Sequence, residues 1–142
     1  MKISTKGRYG LRAVMDLCIN SNGDYVSLIS IAERQNISKN YLEQVFSALR
    51  KTGIVKSVKG SQGGYLLNGK TSEVTIGNIL RALEGDLSVV KEEQSNSKIE
   101  HCIKMNLWDK IDQKLYQIID NMTLEDLINE YNKGTDSMMY YI

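Results

Sequence analysis

The chain is 142 residues long, a quarter of them charged, with a net charge of +1, two cysteines, one histidine and no proline. That length suits one ordinary domain, or a small domain with an accessory helix, and is enough to bury a core without disulfides. No apolar run reaches the length of a membrane span and no secretory leader is visible. Two isolated cysteines suit a reducing compartment, so a cytoplasmic protein is expected.

The near-zero net charge hides an asymmetry. Residues 1–70 carry 11 Lys/Arg against 4 Asp/Glu, and residues 71–142 carry 7 against 13. A basic front and an acidic back suit a protein that presents one end to a polyanion.

Lys2, Lys6, Arg8 and Arg12 surround Ser4, Thr5 and Gly7 at the start. Leu11, Val14, Met15 and Cys18 then repeat at helical spacing, predicting a first helix that buries this stripe. Cys18 reads better as a small core residue than as a reactive thiol. Asn20 to Asp24 is rich in turn formers, and Ser27 can cap a short second helix with Leu28, Ile31 and Ala32 inward.

After the turn Asn36-Ile37-Ser38, a helix is predicted over Lys39 to Lys51. Ser38 caps it, and Leu42, Val45, Phe46 and Leu49 form one apolar stripe. The opposite face carries Lys39, Asn40, Glu43, Gln44, Ser47 and Arg50, side chains of the kinds that read base edges and phosphates. An isolated helix with such a face is usually just solvated; the segment that follows argues otherwise. Gly53 ends the helix. Ile54 to Val58 and Tyr65 to Leu67 read as two strands around the loop Lys59-Gly60-Ser61-Gln62-Gly63-Gly64. No Gly-Lys-Ser/Thr opens a following helix, which argues against a nucleotide-binding loop. A helix-turn-helix followed by a basic hairpin places one helix in a major groove and the hairpin on the flanking backbone.

Thr75 caps a helix from Ile76 to Glu84, ended by Gly85, expected to pack under the hairpin. Residues 86–97 are acidic and aperiodic, read as a mobile loop. Beyond them Trp108, Ile111, Leu115, Ile118 and Met122 alternate at spacings of 3 and 4, a heptad seam on a helix of about 22 residues, roughly 33 Å long. Such a seam is best buried on a second copy, with packing inside the monomer as the alternative. Thr123 and Asp126 open a final helix to Tyr131, with Leu127, Ile128 and Tyr131 inward, stopped at Asn132-Lys133-Gly134. The sequence then runs Met138-Met139-Tyr140-Tyr141-Ile142, an apolar tail that either tucks against the protein or is held by a partner.

The domains expected are therefore a DNA-binding domain over 1–85, a loop over 86–97, and a dimerisation helix with its tail over 98–142. The fold class is mainly α with a small β-wing: a winged helix-turn-helix plus a long C-terminal dimerisation helix. Base contacts are expected from Glu43, Gln44 and Ser47. Arg8, Tyr41, Arg50, Lys56, Lys59 and the Gly63-Gly64 backbone are expected on phosphates or groove edges. Ser38, Lys39, Asn40, Gly60, Gln62 and Tyr65 complete the DNA-facing set. An enzyme is the poorest fit: one histidine, no nucleophile motif and no paired carboxylates on a common face.

The motifs Met1-Lys2-Ile3-Ser4-Thr5-Lys6-Gly7-Arg8-Tyr9-Gly10-Leu11, Tyr41-Leu42-Glu43-Gln44, Lys59-Gly60-x-x-Gly63-Gly64-Tyr65, Leu83-Glu84-Gly85, Leu107-Trp108 and Thr123-Leu124-Glu125-Asp126-Leu127 cover nearly the whole chain. In order and spacing they resemble the bacterial winged-helix repressor family of IscR, NsrR and CymR, most closely its cysteine-metabolism branch. The resemblance implies a cytoplasmic, homodimeric transcription repressor that binds a palindromic double-stranded operator. It implies regulation through a complex with cysteine synthase (O-acetylserine thiol-lyase), for which Tyr140, Tyr141 and Ile142 are the candidate contacts, Ile142 supplying a chain-end carboxylate. Redox- or iron–sulfur-responsive regulation is the alternative within the family, and its cluster form would need three closely spaced cysteines before the long helix. Here that stretch has only Cys102, beside His101, so no metal or cofactor is expected.

Overall fold

The computed structural model describes residues 2–60, 63–91 and 94–139. Helix α1 (Thr5–Asn20) starts at Ser4, whose hydroxyl accepts from the Gly7 N–H. Helix α2 (Leu28–Gln35) is capped by Ser27 and ends at Asn36 in the left-handed region. Helix α3 (Lys39–Lys51) is capped by Ser38, which accepts from the Tyr41 N–H at 3.1 Å. These bounds follow the local signals, since each start has a hydroxyl that satisfies an otherwise free N–H.

The buried face of α1 differs from the expected stripe. Gly7, Gly10, Ala13, Val14 and Leu17 are buried, whereas Leu11, Met15 and Cys18 are half-buried at its edges. The cause is close helix packing: a Cβ at Gly10 would collide with Leu83 and crowd Val45. The face centre is made of small residues, which a search for large apolar side chains passes over.

Strands β1 (Val55–Val58) and β2 (Gly64–Leu67) pair antiparallel, Val55 opposite Leu67 and Val58 opposite Gly64. Val26 adds a single bridge on the far side of β2, exchanging hydrogen bonds with Tyr65 at 2.9 and 2.8 Å. Gly64 is buried there because a Cβ would strike the Val26 carbonyl.

Helix α4 (Ile76–Glu84) begins with a capping box between Thr75 and Asn78. It packs on α1 and α3 rather than beneath the hairpin, because its apolar face (Ile76, Ile79, Leu80, Leu83) fills the groove between those two helices. The connection that follows is tied down at its start. Leu87 is buried, and the Val89 N–H donates to Asp112 at 2.8 Å.

Helix α5 (Lys98–Ile103), a π-helical turn (Lys104–Trp108) and α6 (Asp109–Ile119) form one continuous rod of about 33 Å. Helix α7 (Leu124–Met139) opens with Thr123 and Asp126 capping each other's N–H groups. Gly134 does not stop it, contrary to expectation: a glycine costs an exposed helix interior only about 1 kcal/mol. Tyr131 also departs from expectation, lying outward and half exposed, while Leu127 and Ile128 pack on the core. One apolar cluster runs from Ala13 through Phe46 and Leu83 to Ile119 and Leu124.

Candidate nucleic-acid interface

Helix α3 is fixed from behind. Leu42, Val45, Phe46 and Leu49 are completely buried, and the Phe46 ring lies 4.9 Å from that of Tyr65 on β2. Lys39, Asn40, Glu43, Gln44 and Arg50 face solvent, and Ser47 is half-buried beside them. Lys39 and Glu43 pair at 3.7 Å, an exposed contact of little energetic weight. The side chains left free on this face are donors and acceptors on a rigid support, as base readout requires.

The start of α1 lies beside the start of α3. The Tyr9 ring meets Tyr41 edge-on at 6.0 Å between centroids, and the guanidinium groups of Arg8 and Arg12 sit 5.9 and 5.1 Å from the Tyr9 centroid. Arg12, expected only as one of the basic residues at the chain start, and Tyr9, which was not singled out, thus join Arg8 beside α3. The spacing of Arg8 and Arg12 on one helical face was the available signal. Arg12 also donates to the Gln35 carbonyl at 2.6 Å, satisfying the exposed end of α2.

The turn itself is locked by a buried carboxylate. Asp16 is 4% exposed and takes Arg34 Nε and Nη2 at 3.0 and 2.7 Å, with Gln35 Nε2 at 2.9 Å. The same contact raises the Arg34 pKa above its ordinary value, chiefly through the hydrogen bond to Asp16. This fork fixes α1 to α2, and through Ile37 the entry into α3.

In the hairpin, Lys56, Lys59 and Gly60 are exposed. Arg50 Nη1 reaches toward Ser57 Oγ at 3.5 Å, linking α3 to β1. Two expected contacts need correction. Gly64 is buried against Val26 rather than open to solvent, and Tyr65 is half-buried on Phe46, anchoring the hairpin. Gly63 is half-buried, and Gln62 lies outside the described residues.

The rod also departs from the heptad reading. Leu115 and Met122 pack partly on the monomer's own core, Trp108 is half-buried, and Ile119 is fully covered. The exposed apolar line is Ile99, Leu107, Ile111 and Ile118. Packing on one wide apolar arc is the cause: the body covers the edge with Leu115, Tyr116 and Ile119 and leaves Ile111 and Ile118 in solvent, while the π turn only brings Ile99 into line with them. Asp109 N–H bonds to the Lys104 carbonyl five residues back, which inserts one residue into the helical count. The step from Ile99 to Leu107 then behaves as a heptad, and Leu107, Ile111 and Ile118 continue on the same face.

A family profile, Rrf2, described as "Iron-dependent Transcriptional regulator", matches residues 3–130. The chain belongs to the Rrf2 family. Over 142 residues it is 41% identical to the HTH-type transcriptional regulator CymR of Bacillus subtilis, covering 100% of both chains. To the HTH-type transcriptional regulator IscR of Pectobacterium atrosepticum it is 36% identical over 131 residues, covering 91% of this chain and 80% of the relative. The structure of CymR described as the global cysteine regulator of B. subtilis matches with a TM-score of 0.78 at 40% identity, covering 92% of this chain and 98% of that one. T. potens IscR matches at 0.75 and 39% identity, covering 94% and 90%. The fold is therefore the winged helix of Rrf2 transcriptional regulators, and these relatives are regulators rather than enzymes.

The iron in the family's description raises a donor question. Cys18 lies half-buried on α1, where burial pushes its thiol up to about 11. Cys102 is exposed on α5, away from any second cysteine on that helix. No three His, Cys, Asp or Glu side chains come together as a metal site among the described residues. A half-buried, protonated thiol on one helix and a lone thiol on another do not fit an iron–sulfur cluster.

Proposed function

We propose that this Rrf2 regulator is a homodimeric repressor that reads a palindromic operator with the outward face of α3. The observation that carries this reading is that both ends of α3 are tied to the other candidate contacts: Tyr41 meets Tyr9 of the Arg8–Arg12 cluster, and Arg50 reaches Ser57, next to Lys56 in the hairpin. Glu43, Gln44 and Ser47 contact bases, Glu43 as an acceptor for cytosine N4. Arg8, Arg12, Arg50, Lys56 and Lys59 neutralise phosphates. The exposed line Ile99, Leu107, Ile111 and Ile118, flanked by Trp108, Leu115 and Met122, is covered by a second copy, which sets two α3 helices toward successive grooves. No helix among the described residues is long and apolar enough to cross a membrane, in keeping with a cytoplasmic regulator.

The regulated genes we assign to cysteine and sulfur metabolism, with cysteine synthase as signalling partner. Similarity to CymR supports this, together with the apolar stretch Met138 to Ile142, of which Tyr140, Tyr141 and Ile142 lie outside the described residues. Gel shifts on a palindromic probe test the DNA reading. Changing Gln44 should relax specificity at one position per half-site, whereas Lys59→Ala should weaken all sequences alike and flatten the salt dependence. A shift that ignores both changes overturns the assignment. Removing residues 140–142 should abolish binding to cysteine synthase without altering the operator complex; undiminished affinity for the enzyme removes that partner.

A further inference from the structure

Helix α4 holds the start of α1 through one carboxylate, Glu84. The Ser4 hydroxyl donates to Glu84 Oε1 at 2.5 Å, and the Ser4 backbone N–H donates to the same oxygen at 3.0 Å. The Ser4 oxygen meanwhile accepts from the Gly7 N–H, so one hydroxyl both caps α1 and ties it to α4. Gly7 is required for this contact, since a Cβ there would overlap the Glu84 carboxylate and crowd Ile3. Beside the contact stand Lys2, Lys6 and Arg8, none of which takes part in an ion pair among the described residues. A carboxylate beside phosphate-binding groups would ordinarily oppose a polyanion. Here its charge faces the positive end of α1 and two hydrogen-bond donors, which offset it within the protein.

We propose that Glu84 is a positioning residue for DNA binding. It holds the first turn of α1 so that Arg8, with Lys6 alongside, meets the operator backbone without first having to be ordered. The far end of α4 is fixed as well: the Ile76 N–H bonds to the Met122 carbonyl at 2.8 Å, and Arg81, from the last turn, holds Asp120 with two hydrogen bonds. Helix α4 therefore links the end of the rod to the basic start of α1. This inference rests on the DNA-reading surface proposed above.

The test is a set of binding isotherms for the full chain on a duplex selected by the wild type, from 50 to 200 mM salt, with a thermal melt of each variant. Glu84→Ala should weaken binding about tenfold and lower the salt slope by about one per protomer, as loss of a phosphate contact does. Base preference should not change. Glu84→Gln keeps an oxygen that accepts from both Ser4 donors, so its affinity should stay within about twofold of wild type. Arg8→Ala should cost about tenfold in the wild type and less than about twofold on top of Glu84→Ala, because the two act through one contact. Tighter binding by Glu84→Ala would show a carboxylate that merely repels DNA and overturn the proposal. So would a Gln variant as weak as the Ala variant, or full additivity with Arg8→Ala. If Glu84→Ala melts below the assay temperature, the Gln variant and the Arg8 cycle built on Ser4→Ala decide instead. Wild-type chain that fails to bind any duplex sinks the DNA reading itself; binding that is indifferent to Glu84 sinks only this inference.

Discussion

Phe46 on α3 and Ile118 on α6 are both apolar and both lie on a striped helical face, yet Phe46 is fully buried and Ile118 is 60% exposed. The same contrast holds for the wider regions. From α1 to α4 most large apolar residues converge on one core, with Tyr25, Ile29 and Val58 exposed singly, while the rod leaves Ile99, Leu107, Ile111 and Ile118 in solvent. The winged body is complete as a single copy. The rod covers its inner side with Ile119, Leu115 and Tyr116 on that body and keeps a second apolar line free. A helix with two apolar sides serves two neighbours, and only one is supplied by its own chain.

Mutations on the two regions should therefore have different consequences. Phe46→Ala opens a cavity beneath α3 and should cost about 3–5 kcal/mol in urea unfolding, with DNA binding lost alongside. A cost under about 1 kcal/mol would contradict the packed support described for α3. Ile111→Asp combined with Ile118→Asp should weaken dimerisation by about a hundredfold or more, through desolvating two carboxylates at an apolar contact. Sedimentation should then show a folded monomer with unchanged far-UV dichroism. Persistence of the dimer would mean that its interface lies elsewhere.

Arg34→Ala removes the partner of buried Asp16 and should cost about 2–3 kcal/mol. That is below the usual loss for a broken buried pair, because Arg34 is itself 38% exposed and Gln35 still donates. Asp120→Asn should give the smallest effect, about 0.5–1 kcal/mol at neutral pH, since both members of its pair with Arg81 are well exposed. Arg81 holds the Asp120 carboxyl below its usual range. Its contribution is thus present above the unfolded carboxylate pKa of about 3.9 and fades as pH falls through the lower folded value. Unfolding energies of wild type and Asp120→Asn should differ at pH 7 and converge below about pH 3; a constant gap would remove the charge from the explanation.

What the sequence disclosed was local. Ser38, Ser27 and Thr75 satisfy N–H groups within their own first turns, and the α3 stripe repeats within thirteen residues, so these elements could be placed without tertiary knowledge. Most misreadings turn on contacts between distant residues; Gly134, which α7 simply runs through, is a local one. Gly10 is small because Leu83 and Val45 press on it, and Gly64 because Val26 crosses it. Asp16 looks like an ordinary surface carboxylate until Arg34 and Gln35 close over it. The apparent seam is split because the body covers Leu115, Tyr116 and Ile119 and leaves Ile111 and Ile118 outside. On the candidate site, the polar face of α3 was legible, while Tyr9 and Glu84 emerged only once α1 was seen packed on both α3 and α4.

Selection of bound duplexes from a random library, run in parallel with the wild type and a Glu43→Ala, Gln44→Ala, Ser47→Ala variant, tests most directly whether the α3 face reads sequence. The wild type should enrich a two-fold symmetric site with half-site centres one helical turn or a multiple apart. The variant should retain salt-dependent binding while losing that enrichment. An asymmetric site, no enriched site, or the same site from both proteins would contradict the account.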